Sequence, residues 1–298
     1  MADERADEGA AGGPPAGGEA GHARLTPYEL AFLEGDLETR VFPALREEAR
    51  MQGVEAAHRE RFVFLSTGAE AVHQLVPPGV PPEMLEEYRA LFYHAYNFWS
   101  FGRRLYAVEP AVARYLVESS PRMEDWSFAA PHPSLYLQLP ANLFWASIGT
   151  DVPPEPVDGF FVTVSSDRDV LNVPFADVQV LMVLGIHRLR AGFSVVPFET
   201  EVGPGIPPPW AEPARDEGCD FENVLPGGEM AGLYSILTTA EALKLVALLL
   251  WYVEAHAEEV TEAPAAERRG SERPGSVPRS RLTFHRVRLG GGERSAEE

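Results

Sequence analysis

Apolar and polar residues alternate through the middle of the chain, between positions 131 and 202. A period of two residues is typical of a strand with one buried face, and it occurs at 135–139 and again at 159–165. The stretch 177–187 is almost continuously apolar, which is typical of a strand buried on both faces. Short polar turns between the segments favour antiparallel pairing, with 177–187 at the centre of the sheet. The predicted strands are 134–139, 143–148, 159–165, 177–187 and 192–201.

Helical spacing dominates the sequence on both sides of this block. Thr26 and Glu29 enclose Pro27 in a capping box, and leucines recur every three or four residues after it. Near the other end, Thr238 and Glu241 form a second capping box. The helix that follows is apolar nearly all round, which predicts burial against the sheet. The fold class is therefore α+β: a helical N-terminal half packed with a central, mainly antiparallel sheet and one buried C-terminal helix.

Composition divides the chain into a body and two tails. Residues 1–24 are an acidic, Ala/Gly-rich segment with almost no apolar residues, for which we predict disorder. The tail 263–298 is rich in Arg, Pro and Gly, and its segment 281–289 alternates like an edge strand. Between them we predict a single α+β domain, 25–262. Its parts are a helical part at 25–128, a sheet part at 131–202, a loop at 203–237 and the buried helix at 238–258.

Net charge narrows the classes of partner. The chain has 298 residues and a formal net charge of −20, with a pI of about 4.8. Phosphate backbones and anionic membrane surfaces repel such a protein, so we predict no nucleic-acid and no membrane partner. A basic protein would instead be attracted. The single cysteine, Cys219, excludes an intramolecular disulfide, and the N-terminus lacks a signal sequence; we therefore expect a cytoplasmic protein.

Candidate catalytic groups lie at the rim of the predicted sheet. His132 stands between two prolines at the entrance to the first strand, where loops often hold functional groups. Glu199 and Glu201 share one strand face about 7 Å apart, a separation that a general acid and base could use. These residues are the candidates for a small hydrolase, but the pattern favours a capping or loop role for His132 and an exposed strand face for the two glutamates.

Two other sets of residues suggest binding. Asp216, Asp220 and Glu222 surround Cys219, and carboxylates suit calcium or magnesium, but their spacing lacks the pattern of an EF-hand. We predict a solvated acidic loop there, no metal site and no cofactor. The second set is an aromatic stripe on one helix that favours a hydrophobic core, with a pocket for a small apolar ligand as the alternative. Its members are Tyr88, Phe92, Tyr96 and Trp99.

The absence of a recognisable catalytic motif favours a non-catalytic role. We therefore predict a cytoplasmic acidic protein that acts through protein–protein interaction, with a basic protein as the partner that its charge would attract. The small hydrolase and the apolar-ligand binding protein stay open as alternatives, as does the question of whether the chain is an enzyme.

Overall fold

A computed structural model describes eleven stretches of the chain, and the fold is stated for these residues. They are 28, 36–53, 66–76, 85–119, 130–146, 154–166, 176–184, 194–202, 235–236, 239–263 and 282–290.

Five helices lie within these stretches. One π-helical turn, Leu37–Val41, leads into the first helix, and a short 3-10 turn, Ala257–Glu259, follows the last one. The helices are α1 (Phe42–Gln52), α2 (Ser66–Leu75), α3 (Leu85–Ser100), α4 (Pro110–Ser119) and α5 (Thr239–Ala255).

The strands form one mixed sheet. Seven of them follow the order β6-β5-β4-β2-β1-β9-β8, and the short strands β3 and β7 pair with each other beside β4. Pairing is antiparallel except where β1 lies parallel to both β2 and β9, and between β3 and β7. The strands are β1 (Arg104–Val108), β2 (Ser134–Gln138), β3 (Phe144–Ala146), β4 (Glu155–Ser166), β5 (Ala176–Leu184), β6 (Ser194–Val202), β7 (Ser235–Ile236), β8 (Val260–Ala263) and β9 (Thr283–Val287).

Helices cover both faces of this sheet. Helices α1, α2 and α3 lie on one face, where α3 contacts β2, β4, β5 and β6. Helices α4 and α5 pack beside each other on the opposite face. Burial of α5 is complete at Leu245, Leu248, Leu249 and Leu250, as its apolar sequence predicts. The α+β class and the buried C-terminal helix are therefore confirmed.

The position predicted for 177–187 is wrong. Its strand, β5, lies next to the end strand β6, and β2 occupies the middle of the seven-strand order. The apolar sequence has another cause, because both faces of β5 are covered. Val180 and Met182 pack in the core with α5, whereas Leu181 and Val183 pack in the core with α3. A strand is buried on both faces wherever helices pack on both sides of the sheet, and this holds for a strand near the end of the sheet as well.

Three strands of the seven-strand order lie outside the predicted block. β1 is not among the predicted strands; its five residues lie between a turn at Gly102–Arg103, where φ is 94° and 55°, and the start of α4. The tail segment 281–289 does contain a strand, β9, but β9 pairs with β1 and β8 and is not an edge strand. The reason is β8, which the sequence pattern does not reveal.

The division of the chain into one domain and two tails stays a prediction. The tail 1–24 lies outside the described residues, as does the loop 203–237 apart from β7. Within the described ranges, no helix combines the length and the apolar character needed to cross a bilayer.

Candidate functional site

Five polar or aromatic residues meet on the α5 face of the sheet, where four neighbouring strands run side by side. Arg104 and Tyr106 belong to β1, His285 to β9 and Glu262 to β8. His132 lies in the loop that enters β2. We call this set the histidine cluster. The sheet order β2-β1-β9-β8 is what brings together residues up to about 180 positions apart in the chain.

Strand register sets the row at the centre of the cluster. Tyr106 lies opposite His285 in the parallel β1–β9 pair, and His285 lies opposite Glu262 in the antiparallel β8–β9 pair. Side chains alternate along β1, so Leu105 packs in the core with α3 while Tyr106 packs in the core with α5. The two faces of β1 therefore have different roles, and the cluster occupies only one of them.

Tyr106 lies between the two imidazoles. Its ring centroid is 4.6 Å from that of His285, with an angle of 15° between the planes. The centroid of His132 is 6.3 Å from that of Tyr106 at 35°. Tyr106 is buried, and parallel stacking holds the plane of the His285 ring.

Two nitrogen atoms in the cluster lack hydrogen-bond partners. Nε2 of His285 is buried in a side chain that is 9% exposed, and Nε of the half-buried Arg104 is buried as well. Neither atom has a partner in the described part of the chain. Buried donors are almost always satisfied in proteins, so each such atom calls for an explanation.

Burial and Arg104 keep the imidazoles uncharged. Burial lowers the pKa of His132, and the positive charge of Arg104 lowers it further. Burial also lowers the pKa of His285, with Arg104 acting in the same direction and Glu262 opposing it. Burial raises the pKa of the Tyr106 hydroxyl. At neutral pH the cluster therefore presents one permanent cation beside two mainly neutral rings.

The residues predicted for a hydrolase are not brought together. Glu199 pairs with Gln179, Gln179 with Thr163 and Thr163 with Ser134, so Glu199 lies three strands from β2. That is about 14 Å at the usual spacing of strands. Glu201 lies two residues further along β6. His132 and this pair share one end of the sheet without forming a site.

The aromatic stripe packs as part of the core. Phe92 and Tyr96 are buried, and Tyr88 and Trp99 are half-buried. The ring of Phe42 on α1 lies 5.6 Å from Phe92, 5.8 Å from Tyr96 and 5.5 Å from Trp99. The α1 helix thus covers this side of the stripe, and the apolar-ligand pocket stays a prediction.

Metal binding finds no geometric support within the described ranges, where no three His, Cys, Asp or Glu residues are placed to hold a metal ion. The predicted acidic loop with Asp216, Asp220 and Glu222 lies outside the described residues.

Sequence reasoning missed most of the cluster. His132 is among the predicted residues, but Arg104, Tyr106, Glu262 and His285 are not. The tail alternation did place His285 on a strand, yet nothing local indicates that this strand pairs with β1. The pairing of distant strands is the information that was missing.

Unpaired carboxylates form a second feature, at the C-terminal end of α5 and along β8. Glu254, Glu258 and Glu262 are exposed, and Glu259 is half-buried. We call these four residues the acidic rim. None of them forms an ion pair with a described residue. Elsewhere, three exposed arginines are paired with carboxylates: Arg40 with Asp36, Arg50 with Glu47 and Arg288 with Glu109.

Similarity to known proteins is weak. No family model matches the sequence, and no curated protein matches it either. Among solved structures, the chain is similar to the crystal structure of AcrVA2, with a TM-score of 0.39 and 10% sequence identity. The match covers 87% of this chain and 81% of that chain. A likeness of this degree does not bear on function.

Proposed function

We propose that the protein is a non-catalytic binding protein whose acidic rim engages a basic protein partner. The observation that supports this most is the unpaired state of the rim carboxylates. All four rim carboxylates lie within nine residues, from Glu254 to Glu262. The nearby Arg288 does not neutralise them, because it is paired with Glu109. Their charge is therefore available to an external cation.

The total charge acts in the same direction. A net charge of −20 attracts a basic protein over distances comparable with the Debye length, about 10 Å at 0.1 M salt. Charges at the edge of an interface mainly raise the rate of association and select against partners of the wrong sign. Lysine- and arginine-rich surfaces are the kind of partner that this rim favours.

Two variants with the same change in charge test the proposal. The rim variant carries Glu254→Gln, Glu258→Gln, Glu259→Gln and Glu262→Gln. The control variant carries Asp36→Asn, Glu47→Gln, Glu70→Gln and Glu118→Gln, at exposed positions on the helical layers. Each variant loses four negative charges, so a difference between them reports the location of the charge and not its amount.

The measurement is affinity capture from a lysate of the source organism, with each captured protein identified by mass spectrometry. We expect the wild type and the control variant to capture proteins of high pI. The rim variant should capture at least about tenfold less of the same proteins, because several unpaired charges contribute together. Equal capture by the two variants would refute the assignment to the rim. Capture of acidic proteins only would refute the class of partner.

The alternatives from the sequence have less support. A hydrolase that combines His132 with Glu199 or Glu201 would have to bridge three strands. An apolar ligand beside Tyr96 and Trp99 would have to share the space that Phe42 already occupies.

A further inference from the structure

We infer that the histidine cluster is a binding site for the phosphate group of a small-molecule ligand. This inference does not depend on partner binding at the acidic rim, although the two sets of residues share Glu262. The unpartnered buried nitrogens, the cation Arg104 and the rigidity of the cluster each support the inference.

Unsatisfied donors supply the first argument. Nε of Arg104 is a hydrogen-bond donor, is buried and has no partner in the described structure. A buried donor without an acceptor destabilises the folded protein, so an oxyanion that accepts this hydrogen is favoured there. Arginine is the residue that most often binds phosphate through its planar set of donors.

His285 supplies a second buried, unpartnered nitrogen that is able to donate. Its Nε2 is buried and unpartnered, and its side chain is 9% exposed. Imidazole is able to donate from this nitrogen when neutral, and both of its nitrogens donate when it is protonated. Glu262, opposite His285, raises the pKa of His285 and so opposes part of the lowering that burial causes.

The cluster places a cation, Arg104, beside two histidines in a protein whose net charge is −20. Arg104 lowers the pKa of both His132 and His285, which places its charge close to each of them. The ionisable groups of the cluster are Arg104, Tyr106, His132, His285 and Glu262, with one permanent cation and one exposed carboxylate. An incoming phosphate would meet Arg104 and two rings able to take up a proton. Phosphate suits this set better than a carboxylate because it offers more acceptor oxygens and a second negative charge.

Rigidity is the third argument. Arg104 and His285 lie on paired strands, and Tyr106 stacks on the His285 ring at 4.6 Å. Sites on strands hold their donors more accurately than sites on loops, and a preformed site loses less entropy on binding. His132 joins from the loop before β2, where its half-buried ring remains accessible from solvent.

Titration of the full-length protein with inorganic phosphate tests the inference, with histidine ring signals followed by NMR. We expect the signals of His132 and His285 to move saturably within about 20 mM phosphate, since weak single-group sites have millimolar Kd values. Sodium chloride at the same ionic strength should leave them in place. Absence of any movement, or an equal response to chloride, would overturn the inference. An acetate arm distinguishes the classes of ligand, because equal affinity for acetate would contradict a phosphate site.

Variants locate the site. Arg104→Gln and His285→Gln should each weaken phosphate binding at least about tenfold, because each removes a hydrogen bond to a charged group. Arg50→Gln is the matched control; it removes an exposed arginine on α1 and should bind like the wild type. Unchanged binding in Arg104→Gln would overturn the proposal. If a variant fails to fold, the wild-type titration with its chloride and acetate arms still decides.

Discussion

Single residues at the sheet interior show how closely the core is packed. Tyr136 on β2 donates a hydrogen bond of 2.5 Å to Asp158, and both side chains are buried. Gly159 follows directly on β4, at a register shift between Val157 and Gly159. Its lack of a side chain allows the Tyr136 hydroxyl and the backbone of β2 to approach this point.

Gly159→Ala should therefore destabilise the protein. The added Cβ would lie 2.9 Å from the hydroxyl oxygen of Tyr136 and still closer to the carbonyl oxygen of Leu137. Backbone must move to relieve this, and the free energy of unfolding should fall by about 2–3 kcal/mol in urea denaturation. Gly53→Ala is the control, since its Cβ meets nothing within 4 Å and only the positive φ of 65° opposes it, at about 1 kcal/mol. If Gly159→Ala unfolded at the same urea concentration as Gly53→Ala, or at a higher one, this packing would be contradicted.

Burial of the two cluster histidines predicts a pH dependence of stability. Their folded-state pKa values lie below the ordinary value of 6.5, so the unfolded chain binds protons more readily. Their contribution to stability is present above pH 6.5 and is lost as the pH falls towards the folded-state pKa. The double variant His132→Gln/His285→Gln should therefore lose less free energy of unfolding than the wild type between about pH 7 and pH 5.

Thermal unfolding of both proteins across this range measures the difference. His73→Gln, at an exposed position on α2, is the control and should follow the wild type. Parallel curves for the wild type and the double variant would show that the two rings titrate alike in the folded and unfolded states.

At the scale of elements, local patterns predict which segments are strands but not where they lie. Alternation or apolar runs identified β2, β4, β5 and β6, and the capping box with its apolar sequence identified α5. β1 and β8 were missed because their sequences, RLYAV and VTEA, do not alternate between apolar and polar residues. The order of strands depends on pairings over long sequence separations, so the same limit hid the histidine cluster apart from His132.

Strand β9 is the element whose role the sequence understates. Phe284 is 7% exposed and packs in the core beside α3, although it belongs to the Arg-rich tail. Phe284→Ala should reduce the free energy of unfolding by about 3 kcal/mol, because a buried aromatic ring leaves a cavity. Arg288→Ala, just after the strand, removes only a partly exposed ion pair with Glu109 and should cost less than about 1 kcal/mol. Equal, small losses in urea denaturation would show that β9 does not dock on β1.

At the scale of the whole molecule, charge is distributed unevenly. Ion pairs such as Arg40–Asp36 and Arg50–Glu47 balance charges on the surface of the helical layer, whereas the acidic rim at the end of α5 has no balancing partner among the described residues. The histidine cluster places a cation on the same side of the sheet as the rim. Net charge alone predicted that a partner would be positively charged, but only the fold indicates where that partner would dock.

The salt dependence of partner capture tests this account most directly. For a basic protein captured by the wild type, the bound amount should fall steeply between 0.1 M and 1 M salt, as the Debye length shortens from about 10 Å to about 3 Å. The rim variant should show little capture at either concentration, and the control variant should follow the wild type. Capture that is equal at both salt concentrations, or equal for the rim and control variants, would contradict the claim that the acidic rim binds a basic partner.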